Sequence, residues 1–100
     1  MSKNENREYE LVYIIRPDMD EQTLTDFNDR MMQTIINEGG DVQAIELWGK
    51  RALAYPIKNA FQGHYVLQRF QTSNSNSDEI ERVLRYSEDV LRYMLLRTDA

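Results

Sequence analysis

Lys50, Arg51 and Lys58 are the residues of this chain best suited to chemistry, and that chemistry is neutralisation of an anion. They fall in one segment, Trp48-Gly49-Lys50-Arg51-Ala52-Leu53-Ala54-Tyr55-Pro56-Ile57-Lys58. The segment lies in a wider window, Leu47 to Ser77, that holds no Asp or Glu. The whole chain carries 17 acidic and 12 basic residues, so the window is a local excess of positive field. An acidic protein that keeps one face clear of acids points that face at an anionic partner.

Catalysis finds little footing. Zero cysteines exclude disulfides, thiolate metal sites and cysteine nucleophiles, and suit a reducing compartment. His64 is the only histidine, so neither a His-based metal cluster nor an acid–base relay can be built. Beside Gly63 at a strand start it reads as structural. Gly39-Gly40 is not followed by the Lys-Ser/Thr of a phosphate loop and sits at a helix end, where glycine is a C-cap. Asp18/Asp20 and Glu88/Asp89 fall near element ends, where capping and solvation explain them. Met31-Met32 extends an apolar helix stripe. No metal, cofactor or small-molecule substrate is expected, and the chain does not read as an enzyme.

The elements that must carry the basic segment follow from pattern. Tyr9–Arg16 is β-branched and aromatic and stops at Pro17, so it is expected to be a strand. Asp18 or Asp20 caps a helix whose stripe is Leu24, Phe27, Met31 and Ile35. Residues 42–55 are strand-like with a bulge or bend at Gly49. Residues 56–63 read as the turn region, with pairing stopping near Pro56. His64–Thr72 is a third strand, and 73–77 a polar linker with Ser77 as N-cap. A helix follows through Tyr86, striped by Ile80, Val83 and Leu84, and Val90–Thr98 is the last strand. The order βαββαβ predicts a ferredoxin-like α+β fold: a four-stranded antiparallel sheet with two helices on one face. The first and third strands are expected to be central neighbours and to run parallel.

One hundred residues make one domain, 1–100, with residues 1–7 expected to be a flexible N-terminus. That N-terminus is polar, and no segment approaches the roughly 20 apolar residues of a membrane span, so the chain is expected to be cytoplasmic. Its net charge of −5 lies entirely in residues 1–40. This argues against a nonspecific DNA binder, which wants a basic footprint throughout, and leaves room for a local RNA contact.

A strand covered on one face should alternate apolar and polar, yet several strands here are apolar on both. Leu11, Tyr13 and Ile15 point one way and Val12 and Ile14 the other. Tyr93 and Leu95 oppose Met94 and Leu96, and Val66 and Phe70 oppose Tyr65 and Leu67. Two helices cover one side only. The open side is therefore expected to show Val12, Ile14, Tyr65, Leu67, Met94 and Leu96, rimmed by Glu10, Arg69 and Arg92. Such a patch exceeds what a monomer normally exposes and reads as a protein-binding face.

An RNA-recognition-motif-like binder of single-stranded RNA shares this element order and stacks bases on aromatics of the first and third strands. The third-strand stretch Gln62-Gly63-His64-Tyr65-Val66-Leu67-Gln68-Arg69 keeps the glycine but lacks the leading cation and the stacking aromatics, so this alternative is weak. A ferredoxin-like hydrolase such as an acylphosphatase needs an anion-cradling loop after the first strand, and here Arg16-Pro17 is followed by acids.

Taken together, Tyr9-Glu10-Leu11-Val12-Tyr13-Ile14-Ile15-Arg16-Pro17-Asp18, Trp48-Gly49-Lys50-Arg51, Leu53-Ala54-Tyr55-Pro56-Ile57-Lys58, Gly63-His64-Tyr65-Val66-Leu67, Leu84-Arg85 and Val90-Leu91-Arg92-Tyr93 resemble the bacterial small-subunit ribosomal protein S-six family. The resemblance runs from about Arg7 to Arg97. It implies a non-enzymatic constituent of the small ribosomal subunit that binds the central domain of small-subunit ribosomal RNA together with ribosomal protein S-eighteen. Under it, Lys50, Arg51 and Lys58 are expected to contact phosphates, with Arg7, Arg92 and Arg97 as secondary candidates, and the open face is expected to take the protein partner. Ala52 departs from the polar, often basic, residue usual in the family. The chain ends at Ala100 without the long acidic tail of some relatives, so tail-directed modification is not expected.

Overall fold

β-branched and aromatic residues build four strands around two short amphipathic helices. A computed structural model describes residues 7–72 and 77–98. The elements are β1 (Arg7–Ile15), α1 (Glu21–Asn37), β2 (Asp41–Ile57), β3 (Ala60–Thr72), α2 (Asp78–Tyr86) and β4 (Val90–Arg97). The sheet order is β2-β3-β1-β4 and every neighbouring pair is antiparallel. The ferredoxin-like expectation is met, but β1 and β3 run antiparallel, not parallel. The reason is connectivity: the crossover through α1 sets β2 parallel to β1, and the β2–β3 hairpin then folds β3 back between them. Arg7 belongs to β1; residues 1–6 and most of the expected 73–77 linker lie outside the described residues.

Both helices lie on one side because their stripes meet the same sheet face. Phe27, Met31 and Ile35 of α1 and Ile80 and Leu84 of α2 are buried with Leu11, Tyr13, Ile15, Val66 and Phe70. Leu24 and Val83 are half-buried at its margin. Asp20 caps α1, its carboxylate accepting from Thr23 N–H at 2.8 Å, and that bond holds its pKa below the usual value. Asp18 instead pairs with Arg16. α1 ends in a Schellman motif: Gly40 N–H donates to Ile35 C=O at 2.9 Å, Gly39 N–H to Ile36 C=O at 3.0 Å, and Gly39 takes φ 89°. Ser77 does not cap α2. Its backbone, at φ −100° and ψ 12°, is outside the extended region that aims a capping oxygen at the helix, and its hydroxyl donates to Glu81 at 3.1 Å.

One polar group of the core escaped the pattern. Gln68 is fully buried between Val66 and Phe70. Its amide donates to Tyr13 Oη at 3.0 Å and to Asn28 C=O at 3.3 Å, while the Tyr13 hydroxyl donates to Asn28 Oδ1 at 2.6 Å. Burial pushes the Tyr13 phenol well up, so it stays a neutral donor.

The β2–β3 hairpin is longer than expected at its tip. Gly49, at φ 85°, sits at a bulge as expected. The turn, however, spans only two residues, Lys58 and Asn59, both with positive φ of 50° and 66°. That is the type I′ geometry, whose twist matches the paired strands, so β3 begins at Ala60 and not at His64. Pairing breaks between Ala52 and Ile57, and Pro56, with no N–H to give, falls in the unpaired stretch. The 17-residue β2 outreaches the nine-residue β1, and the molecule is elongated, 49 × 26 × 22 Å.

Candidate nucleic-acid and protein interface

The six expected apolar face residues do share the side of the sheet away from the helices. Val12 pairs with Leu67 and Met94, Ile14 with Tyr65 and Arg92, and Glu10 with Arg69 and Leu96; residues directly opposite in a ladder share a face. Their exposure is uneven. Met94 and Leu96 are 49% and 48% exposed, but Ile14 and Leu67 keep only 8% and 3%, and Val12 and Tyr65 are half-buried. The expectation of six open side chains is thus corrected to two exposed ones, Met94 and Leu96. Part of the cover comes from the protein itself: the part of β2 beyond Ala52 brings Leu53, Tyr55 and Ile57 against Ile14, Tyr65 and Arg92, all lining one small hollow. Arg92 Nη1 donates to Tyr55 Oη at 2.6 Å and pins the arm there. At the rim, Arg69 bonds Glu10 at 3.1 Å.

The basic side chains fall into two populations. Arg16 pairs with Asp89 and Asp18, Arg69 with Glu10 and Glu46, Arg82 with Glu79, and Arg85 with Glu81. Among the described residues, Lys50, Arg51, Lys58, Arg92 and Arg7 have no carboxylate within ion-pair distance; the same holds for Arg30, which packs over Phe27 on α1. Arg97 is engaged with a neighbour. The candidates drawn from sequence are therefore largely the cations that the fold leaves without an internal counter-charge.

They do not form one patch. Lys50 pairs with His64, Arg51 with Gly63 and Arg92 with Ile14, and Lys58 Nζ donates to Val90 C=O at 3.2 Å. These four gather where β1 ends. Arg7 pairs with Thr72 and Arg97 with Tyr9, at the other end of β1, about 25 Å away at ~3.3 Å per residue. Within the four, Lys50 and Arg51 diverge as strand alternation requires. Lys50 lines a hollow with Asp20, Glu21, Leu47 and His64 beneath the start of α1. The guanidinium of Arg51 lies 5.3 Å from the Trp48 ring centre, with Nε donating to Trp48 C=O at 3.3 Å.

Sequence reasoning sought stacking aromatics on β1 and β3 and missed the pair that forms. Trp48 on β2 stacks with Tyr65 on β3, centroids 6.4 Å apart and planes 16° apart. The signal lay in register: the Gly49 bulge sets Gly49 opposite Tyr65 and brings Trp48 alongside. Leu47 at 65% exposure and Tyr55 at 57% were also passed over as strand residues, and Phe61 at 70% as part of the turn. Gly63 is buried against β1, where an added Cβ would collide with Ile14 Cγ2 and approach Ile15 C=O to 3.1 Å. No cluster of three or more His, Cys, Asp or Glu that could hold a metal exists among the described residues, and no described helix is long and apolar enough to cross a membrane.

Comparison with known proteins places this geometry. The profile of the family described as Ribosomal protein S6 matches residues 8–97. The small ribosomal subunit protein bS6 of Caldanaerobacter subterraneus subsp. tengcongensis is 42% identical over 93 residues, 93% of this chain and 98% of the relative. That of Moorella thermoacetica is 38% identical over 93% of this chain and 95% of its own length. The crystal structure of 30S ribosomal protein S6 from Thermotoga maritima superposes with a TM-score of 0.90 at 27% identity, covering 94% of this chain and 89% of that one.

Proposed function

The chain belongs to the ribosomal protein S6 family, and from that premise we propose that it binds the central domain of small-subunit ribosomal RNA together with ribosomal protein S-eighteen. As a member of the family it is a structural constituent of the small ribosomal subunit, in the cytoplasm, and not an enzyme. The observation that supports the finer reading is the set of cations left without carboxylate partners around the end of β1, beside an open sheet face that still shows Met94 and Leu96. A cation without an internal ion pair loses none when it meets a phosphate.

The division of labour follows from the geometry. Lys50 and Arg92 supply phosphate contacts on either side of the sheet end. Lys58, tied to the Val90 carbonyl, holds the arm across β4 and contributes its charge from there. Arg7 and Arg97, at the far end, serve a separate stretch of RNA or none. Phosphate contacts position a protein without reading sequence, so specificity comes from RNA shape and from the protein partner.

The test is affinity for a central-domain RNA fragment in the presence of purified S-eighteen, across salt. Each lost phosphate contact should flatten the log–log salt slope by about 0.7–0.9. Lys50→Ala and Arg92→Ala should each weaken binding and flatten the slope. Wild-type affinity and slope in both variants would defeat the reading.

A further inference from the structure

Arg51 was expected to meet a phosphate, but its surroundings are those of a stacking group. Its guanidinium lies over the Trp48 indole at 5.3 Å, and its Nε is fixed to the Trp48 carbonyl at 3.3 Å. The indole is itself stacked with Tyr65 and anchored at its edge, Nε1 donating to Glu46 at 3.0 Å. Glu46 also lies 3.9 Å from Arg69, so its charge is shared with that cation and not directed at Arg51. The result is a column of two contacts, Tyr65 on Trp48 and Trp48 on Arg51, whose most exposed member is a flat cation with no carboxylate within ion-pair distance among the described residues.

From this column we infer that Trp48 and Arg51 form a platform for one unpaired RNA base, which stacks at the Arg51 end. The inference rests on the RNA-binding reading above and assigns a ligand within it. Two features favour a nucleotide over an apolar side chain. A guanidinium plane is a preferred surface for stacking a nucleobase. The nucleotide also carries a phosphate, and Arg92, on the same face of the sheet as Arg51, has no carboxylate within ion-pair distance among the described residues. The run from Leu47 to Ser77 holds no acid, and Glu46, just before it on the same strand, is engaged by Trp48 Nε1 and Arg69. Base stacking on an aromatic column needs planarity, whereas a phosphate contact needs only charge, and that difference makes the two separable.

The experiment measures affinity of the wild type, Arg51→Lys, Arg51→Ala and Trp48→Leu for the central-domain RNA fragment with S-eighteen bound, over a range of salt. Affinity for S-eighteen alone is measured alongside, and urea unfolding checks that each variant folds. Stacking predicts that Arg51→Lys and Trp48→Leu both lose about five- to a hundred-fold in RNA affinity, with the Arg51→Lys salt slope unchanged. Full affinity for Arg51→Lys with a flattened slope for Arg51→Ala would overturn the platform and return Arg51 to a phosphate contact, leaving the RNA reading intact. Loss of S-eighteen affinity with RNA affinity preserved would give the column to the protein partner and overturn it equally. If the wild type fails to bind the fragment with S-eighteen present, the functional reading itself falls.

Discussion

Leu67 and Met94 flank Val12 on the same face, yet an aspartate at each should do different things. Leu67 is 3% exposed and Met94 49%. Leu67→Asp removes a fully buried aliphatic side chain, worth about 2–3 kcal/mol. It also sets a carboxylate directly opposite Glu46, where like charges repel. With desolvation of the new charge, the loss is about 3–5 kcal/mol, a large share of the roughly 5–15 kcal/mol that stabilises a domain. Met94→Asp gives up about half of one side chain's burial, near 1 kcal/mol, and leaves the domain folded. It plants a charge where the partner would bury apolar surface, which should weaken S-eighteen binding by tenfold or more. Urea unfolding and calorimetry with the purified partner separate the effects. An unaltered affinity for folded Met94→Asp would move the interface off this face, and a fully stable Leu67→Asp would refute the burial argument.

Two further outcomes follow from named contacts. Tyr13→Phe removes the hydroxyl that donates to Asn28 Oδ1 and accepts from Gln68; stranding a buried acceptor costs about 1–3 kcal/mol, so the melting temperature should fall by roughly 4–24 °C while RNA affinity holds, and an unshifted melt would show the network contributes nothing. Lys58→Met keeps the aliphatic stem but cuts the bond to Val90 C=O; it should raise hydrogen exchange at the arm tip without slowing exchange elsewhere, and unchanged exchange there would mean the arm is held by packing alone.

The fold was legible where periodicity and punctuation agree. Leu24, Phe27, Met31 and Ile35 announced α1 by spacing alone, and Gly39-Gly40 announced its end, because both signals are local. Strand direction was not legible in the same way, since it follows from how hairpin and crossover share the sheet. The β2–β3 tip was misjudged because Pro56 and Asn59 both mark breaks, and only the positive φ of Lys58 shows the turn to be two residues wide. Gln68 defeated the pattern because a buried polar residue is permitted only by partners on β1 and α1, 55 and 40 positions away in sequence. Burial on the open face failed for a related reason: alternation assigns Ile14 and Tyr65 to a face but says nothing of an arm that folds back across them.

The candidate cations were more legible than their roles. An acid-free window identifies side chains whose sequence neighbours cannot neutralise them, and for Lys50, Arg51 and Lys58 the fold brings no described carboxylate within ion-pair distance either. For Arg69, in the same window, it does, through Glu10 on β1 and Glu46 on β2. The same logic explains how a chain of net charge −5 can offer a surface to RNA. Its surplus acids, including Glu21, Asp26 and Asp29, are exposed on α1, behind the sheet. A packed layer is about 10 Å thick, and side chains on both sides extend the gap well beyond the Debye length of about 8 Å at physiological salt. The acidic helix therefore scarcely dims the field at Arg51 and Arg92, which face the other way. Overall charge excludes indiscriminate binding to nucleic acid, and placement of charge across the sheet permits a specific contact; the two statements describe different distances on one molecule.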